Sequence, residues 1–576
     1  MAEYDLIIRG GTIADGTGAP LQVGDVAVKD GVIVAVGELA GAGREEIDAQ
    51  GKLVTPGFVD IHTHYDAQVT WDTRFSPSTN HGVTTVLMGN CGVGFAPCRP
   101  EQREQMIDTM EGVEDIPNIV MAEGLPWNWE TFPDYLDALE ARPMDADFAV
   151  AIPHIPIRVW VMGQRAIDRE PSTPDDIRQM AALVAEGIEA GAFGFSTTRV
   201  IGHRDAHGAQ LPVTTASEDE LLAMALAMKP FGKQLFMSSS EFDTSNGFSS
   251  EFNLLARIAQ ASGHTVTFPL LQYDERPEQW RDIADACADV RSRGVDMLGQ
   301  VVARPVGVLF GLELKLNPFQ GCPTYDRIAN LPLTEQVAIL RRDDTRAALV
   351  AEYERPLDPA HPAMIRLIAR AYAMGENPVY DPGEADRFDH IAAQRGCSVA
   401  EIALDTMLAD EGRGIIYFPA RNYTYYNFDV VEQMLGREDT ILGLGDGGAH
   451  VGAICDGSMQ TYILSYWTRD RVGKTLPVEQ AVKLMTSDTA EVGGFHDRGR
   501  IAVGYKADLN VIDYDNLRLG SPRAAYDLPA GGRRLYQEAR GYEATIVSGV
   551  VTARYDKPTG ALPGRLLRGR RLAPAL

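Results

Sequence analysis

Residues 57–64 read Gly57-Phe58-Val59-Asp60-Ile61-His62-Thr63-His64, an apolar run that closes on two histidines spaced i, i+2. Alternate side chains of a β-strand point to the same face, so both imidazoles aim at one point. Two convergent imidazoles at a strand end suit a borderline divalent metal such as zinc. The bland alternative is a chance pair, or one histidine capping a loop. The rest of the chain has to decide between them.

Strand-like apolar runs recur outward from this one, at 57–62, 84–90, 147–153, 192–197, 233–239, 265–271, 295–302 and 440–446. Helical periodicity lies between them, at 101–111, 175–190, 217–229, 249–261, 278–292 and 428–436. Strand–helix alternation argues for a parallel sheet with crossover helices, and eight strands predict a closed (β/α)8 TIM-like barrel. The last two runs are far apart, and that interval, about 303–439, reads as an inserted subdomain or lid. It carries expected helices at 333–354 and 361–374 and a strand at 414–418.

Functional groups of such barrels gather at the C-terminal ends of the strands. His62 and His64 end the first run, Cys91 follows the second, His154 follows the third and Asp446 ends the eighth. Asp446 lies in Gly443-Leu444-Gly445-Asp446-Gly447-Gly448, where small neighbours allow close approach to the carboxylate. A metal held by two histidines and this aspartate, with room for water, makes a sensible hydrolytic site, the carboxylate accepting and redelivering the proton. Cys91 is the best placed of six thiols, as a metal ligand or as a small buried residue of its loop. His203 lies on a polar loop and His450 four residues beyond Asp446; either can line a substrate pocket, as can His154.

The bulk numbers narrow the class. A chain of 576 residues exceeds one hydrophobic core, so several domains are expected. A net charge of −27 disfavours nucleic acid and anionic membrane surfaces as partners, since both need a basic face. No apolar run reaches the length of a membrane span, and residues 1–5 show no secretory leader. Six scattered cysteines form no disulfide framework, so a reducing cytoplasm is the expected compartment. The basic tail (Arg565, Arg568, Arg570, Arg571) reads as a solvated C-terminus.

Both ends have the texture of short strands: 4–9, 10–13, 25–29 and 32–36 at the start, with Asp30-Gly31 as a hairpin turn, and 507–513 and 544–551 near the finish. Neither end has enough strands for a core, so they are expected to pair into one small β-sandwich-like domain. The division is residues 1–55 and 491–576 for that domain and 56–490 for the barrel.

Several segments now match a known family. The chain resembles the amidohydrolase superfamily, and within it the D-aminoacylase (N-acyl-D-amino-acid deacylase) group. The segments are TPGFVDIHTHYDAQ (55–68), HGVTTVLMGNCGVGFAP (81–97), VEDIP (113–117), LPWNWETFPDYLDAL (125–139), GFSTTR (194–199), GDGGAH (445–450) and RGRIAVGYKADLNVID (498–513). The resemblance implies hydrolysis of the amide bond of an N-acyl amino acid of D type, or of a related N-acyl amine. It implies His62, His64, Asp446 and Cys91 as metal ligands, with Asp446 also the general base and acid.

This sequence departs from the group at two places. Members carry a His-x-Arg-x-Glu segment after the fifth strand and a Ser-His-x-Lys segment after the sixth; the histidines complete a second zinc site and the lysine holds a substrate carboxylate. Met237 and Leu270 are expected where those histidines would stand, lining the pocket, and Gln272 where the lysine would. One zinc ion is therefore expected rather than two. Ring opening of a cyclic amide or imide, or lactone hydrolysis, remains compatible with the same scaffold, as does a catalytically inactive scaffold protein. A small-molecule substrate is the expected partner, and self-association into a homo-oligomer is compatible with the sequence.

Overall fold

The eight apolar runs all become strands of one parallel barrel. The computed structural model describes residues 2–242, 247–356, 361 and 363–574. The barrel strands are Phe58–Asp60, Val83–Met88, Asp147–Val150 (continued as Ile152–Pro153), Gly194–Thr198, Leu235–Ser239, Thr265–Pro269, Met297–Val301 and Thr440–Leu442. Each pairs in parallel with its neighbour. The last seam closes just past the strand ends, where the Asp446 amide donates to the His62 carbonyl (3.0 Å) and the His64 amide to the Gly447 carbonyl (2.8 Å). The seam that completes the barrel thus runs through the histidine pair.

Side-chain parity explains why these strands read as continuous apolar runs. Val59, Ile61, Leu87, Ala149, Ala151, Leu235, Met237, Leu298 and Ile441 fill the barrel interior. The alternate residues Phe58, Val86, Phe148, Phe195, Phe236, Val266 and Phe268 pack outward in the core shared with the helices. Both faces are buried, as parallel sheets require. The crossover helix Pro174–Ala190 starts on a Thr173 cap reciprocated by Asp176, and Ser217 caps Glu218–Met228 by accepting the Glu220 amide. Among the described residues no helix is long and apolar enough to cross a membrane.

The two chain ends share one nine-stranded sheet. Leu53–Pro56 lies between Tyr4–Ile13, which it pairs in parallel, and Leu509–Ile512, which it pairs antiparallel. Asp30 and Gly31 both have positive φ (51° and 76°), the two-residue hairpin geometry their sequence predicts. Beyond this sheet the basic tail departs from its reading as a solvated terminus. It straps across the barrel base: the Phe148 amide bonds the Arg565 carbonyl, the Gly569 amide the Gly191 carbonyl and the Arg571 amide the Gly494 carbonyl. Leu567 joins the interior apolar cluster, while Arg568 pairs with Asp137 and Glu140. The charges advertised solvent, and the leucines between them found the core.

Between the seventh and eighth strands lies a three-stranded sheet in the order Val306–Phe310, Ile415–Arg421, Tyr372–Met374, all antiparallel. Its helices include Leu333–Leu340, Asp343–Tyr353, Phe388–Arg395 and Val399–Gly412, around a core of their own containing Phe310, Leu340, Phe388, Leu404 and Ile416. The expected helix at 333–354 breaks at Arg342, whose extended backbone starts a second helix with Asp343 and Asp344 in its first turn. The expected helix at 361–374 is not formed: two 3₁₀ turns, Ala363–Arg366 and Ile368–Arg370, lead into the edge strand Tyr372–Met374. Residue 362 lies outside the described residues.

Candidate metal centre

The site grows from the barrel seam. Asp60 accepts the His62 amide at 3.1 Å and fixes the strand's exit. A side chain at Gly445 would put its Cβ 2.2 Å from Asp60 Oδ2, so only glycine lets the eighth strand's loop come this close. His62 Nε2 then stands 3.4 Å from Asp446 Oδ1, and His64 Nε2 3.8 Å from the same oxygen. Asp446 has φ 45°, a left-handed conformation that aspartate tolerates better than most residues.

Cys91 enters from the second strand's loop, also with a left-handed backbone (φ 53°). Asn90 anchors that loop to the Thr63 and Leu87 carbonyls, each at 3.1 Å, and Ser196 Oγ bridges the Gly92 amide and the Gly89 carbonyl. The Cys91 sulfur comes to 3.6 Å from His62 Nε2 and 3.2 Å from Ser239 Oγ. One ligand atom each from His62, His64 and Cys91 lie within 4.8 Å of one another, so these three could hold a metal ion.

Two residues unmarked in the sequence complete the surroundings. Gln300, on the seventh strand, sets Oε1 2.6 Å from His62 Nδ1 while its amide donates to Thr267 Oγ1 at 2.9 Å. Glu114, the last residue of helix Arg103–Glu114, sets Oε1 3.4 Å from His64 Nδ1 and Oε2 3.6 Å from His450 Nε2. Glu114 stands within the VEDIP segment, its only sequence signal; nothing in the spacing of Gln300 marks it.

Burial dominates the electrostatics. It lowers His62 to about 4, against the opposing hydrogen bond that Gln300 Oε1 accepts from the ring, and it lowers His64 well below its ordinary value, with His62, His450 and His203 adding to the effect. It raises Asp446 to about 6 despite His450, and pushes up the Cys91 thiol, helped by Glu114. Burial also raises Glu114 strongly, with Asp446, Asp66 and Asp115 adding to it. Neutral imidazoles are the form that binds a divalent cation, and a bound cation would draw the neighbouring acids back toward ionisation.

The donor set fits such an ion. Donors about 2.0–2.3 Å from a shared zinc ion stand roughly 3.3–3.8 Å apart; three pairs here fall in that range, His62–Asp446 at 3.4 Å, His62–Cys91 at 3.6 Å and His64–Asp446 at 3.8 Å. The two nitrogen–oxygen lengths are long for hydrogen bonds and suit ligands sharing a cation.

The remaining sequence candidates divide. His203 Nδ1 lies 3.0 Å from Thr198 Oγ1; the charges of His203 and His450 act on His64, and that of His450 acts on His203, which puts both at this end of the barrel. His154 is elsewhere engaged: its nitrogens meet Thr197 Oγ1 (2.8 Å) and Glu220 Oε1 (2.9 Å) in a buried network with Arg158, leaving none for a substrate. Met237 belongs to the apolar barrel interior, and Ser239, two residues on along the same face, is the fifth-strand residue that touches Cys91. Leu270 packs on Gly299 and joins the outer core, so it does not line the site. Gln272 ties the sixth strand's loop to the insertion, through Asn422 and Thr424, and is not free to hold a substrate.

Comparisons with known proteins agree with this architecture. D-aminoacylase of Alcaligenes xylosoxydans xylosoxydans is 26% identical over 570 residues, covering 98% of this chain and 97% of its own. N-acyl-D-glutamate deacylase of the same organism is 27% identical over 578 residues, with coverage of 98% and 97%. A solved D-aminoacylase, described for its binuclear metal center with one-metal activation and second-metal attenuation, superposes with a TM-score of 0.65 at 25% identity, over 98% of this chain and all of that one. The sequence profile of the Amidohydrolase family matches residues 45–553, and the chain belongs to that family.

Proposed function

We propose that this chain hydrolyses the amide bond of an N-acyl amino acid of D type, or of a related N-acyl amine, around one divalent ion, with zinc the first candidate. The observation that carries the reading is the convergence of His62, His64 and Cys91 on one point beside Asp446, at the seam where the barrel closes. A divalent ion bound there would acidify a water and polarise the acyl carbonyl. Asp446 would take the proton from that water and return it to the leaving amine, its Oδ1 standing 3.4 Å from His62 Nε2 and 3.8 Å from His64 Nε2. Gln300 keeps the His62 proton on Nδ1, so Nε2 presents its lone pair to the centre. His203 and His450 border the approach. One ion is favoured over two because the fifth strand offers Ser239 beside Cys91 and the sixth turns Leu270 outward.

The test is metal content of the purified full chain together with a panel of N-acetyl and longer N-acyl amino acids, D and L, with cyclic amides alongside. One zinc per chain and turnover of linear D-type amides is the expected result. Absence of bound metal, and of activity after adding zinc, manganese, cobalt or iron, would refute the enzyme reading; turnover confined to the cyclic compounds would redirect the substrate class.

A further inference from the structure

We infer that Glu114 is a positioning residue of this site, orienting His64 and at the same time holding the loop that carries Asp446; this rests on the metal-centre reading above. The Glu114 side chain is 1% exposed, yet among the described residues its Oε2 has no hydrogen-bond partner, and neither does the buried Nδ1 of His64. Buried polar atoms left unpaired are costly, and these two side chains face each other. His64 Nδ1 lies 3.4 Å from Glu114 Oε1, about half an ångström beyond a well-formed hydrogen bond. Closing that gap puts the proton on Nδ1 and leaves the Nε2 lone pair toward Asp446. Glu114 Oε1 accepts this bond whether or not the carboxyl carries a proton on its other oxygen. Each histidine of the pair then has its own orienting side chain: Gln300 for His62, Glu114 for His64.

The same residue fixes the opposite wall. The His450 amide donates to the Glu114 carbonyl, and the Gly452 amide to Asp115 Oδ2 at 3.1 Å, while Lys315 pairs with Asp115. His450 Nε2 is 3.6 Å from Glu114 Oε2. The loop from Asp446 to Gly452 is therefore anchored at its start by the barrel seam and at its end by this helix terminus. An apolar residue would fill the Glu114 position without the desolvation cost of a carboxyl group, so packing alone does not account for a glutamate there.

The test uses zinc affinity of the full chain, by chelator competition, and the thermal midpoint of the zinc-free form. Glu114→Gln keeps an acceptor at the Oε1 position; Glu114→Leu and Glu114→Met keep the volume and remove it, and either serves if the other does not fold. Zinc binding is expected to weaken about 10–100-fold in the apolar variants and stay within about threefold in Glu114→Gln, with the zinc-free midpoint not lowered. Wild-type affinity in an apolar variant overturns the inference and leaves the metal reading standing, and so does an equal loss in Glu114→Gln. A wild-type chain that binds no zinc overturns both.

Discussion

Gln300 Oε1 lies 2.6 Å from His62 Nδ1, and Gln300 Nε2 donates to Thr267 Oγ1 at 2.9 Å, so the carboxamide turns its oxygen to the ring. With that oxygen as acceptor, the proton of a neutral His62 sits on Nδ1. A neutral imidazole with its proton on Nδ1 can only offer Nε2 to a cation, and Nε2 is the atom facing Cys91 and Asp446.

Replacing that carboxamide has a defined expected effect. Gln300→Leu leaves a buried N–H unpaired, costing about 1–3 kcal/mol of stability in the metal-free chain. It also frees the ring, so zinc affinity should fall about 10–100-fold. Gln300→Glu keeps the acceptor and should retain most of the affinity. Chelator competition with thermal unfolding checks both, and an unchanged affinity in Gln300→Leu would show the lock to be dispensable.

Asp446→Asn separates proton transfer from folding. Asparagine shares aspartate's tolerance of the left-handed backbone at this position (φ 45°), so the loop should keep its path. What is lost is the proton acceptor, and kcat should fall about 100-fold to 10,000-fold. The measurement is kcat at matched zinc content, with circular dichroism confirming the fold. Retained turnover would remove Asp446 as the base.

Ser239 is the place where a second metal ligand can be tested. It touches Cys91 at 3.2 Å from the end of the fifth strand, whereas Met237 lies deeper in the apolar interior. Ser239→His should raise zinc content above one equivalent per chain. Met237→His should not, and should destabilise the chain by about 1–3 kcal/mol by burying an unpaired polar ring. Metal stoichiometry of the two variants decides; a gain in Met237→His alone would reverse the assignment.

That contrast shows how far the sequence carries. All eight barrel strands were legible because a strand buried on both faces is a continuous apolar run, and the meeting of His62, His64 and Cys91 beside Asp446 was legible because the barrel rule gathers strand ends at one face. The error at Met237 is one of depth: Met237 and Ser239 share a face, and parity alone cannot say which stands level with Cys91. That level is set by the GNCG loop, whose reach depends on Ser196 of another strand. Leu270 fails by parity itself, following Val266 and Phe268 to the outside. Glu114 and Gln300 come from elements remote in sequence, and only the closed barrel brings them to the histidines.

Asp147 joins the barrel to the terminal sheet, and this contact predicts acid sensitivity. It opens the third barrel strand, fully buried, with Arg498 at 2.7 Å and Lys506 at 3.1 Å. Burial alone would raise its pKa, but Lys506 and Arg498 outweigh it and bring the carboxyl from 3.8 down to about 2. A carboxylate depressed in the folded state contributes stability that is fully present above its unfolded pKa, near 4, and is lost as the pH falls toward 2. Asp147→Asn leaves two buried cations with less compensation and should destabilise the chain by about 3–5 kcal/mol near neutral pH. The gap between wild type and variant should then narrow steadily between pH 4 and pH 2, because the wild type alone loses this contribution as its carboxylate takes up a proton. Chemical-denaturation midpoints across that range, read beside pH 7, measure it. A gap that stays constant with acidity would mean that Asp147 is held by packing and not by its two cations.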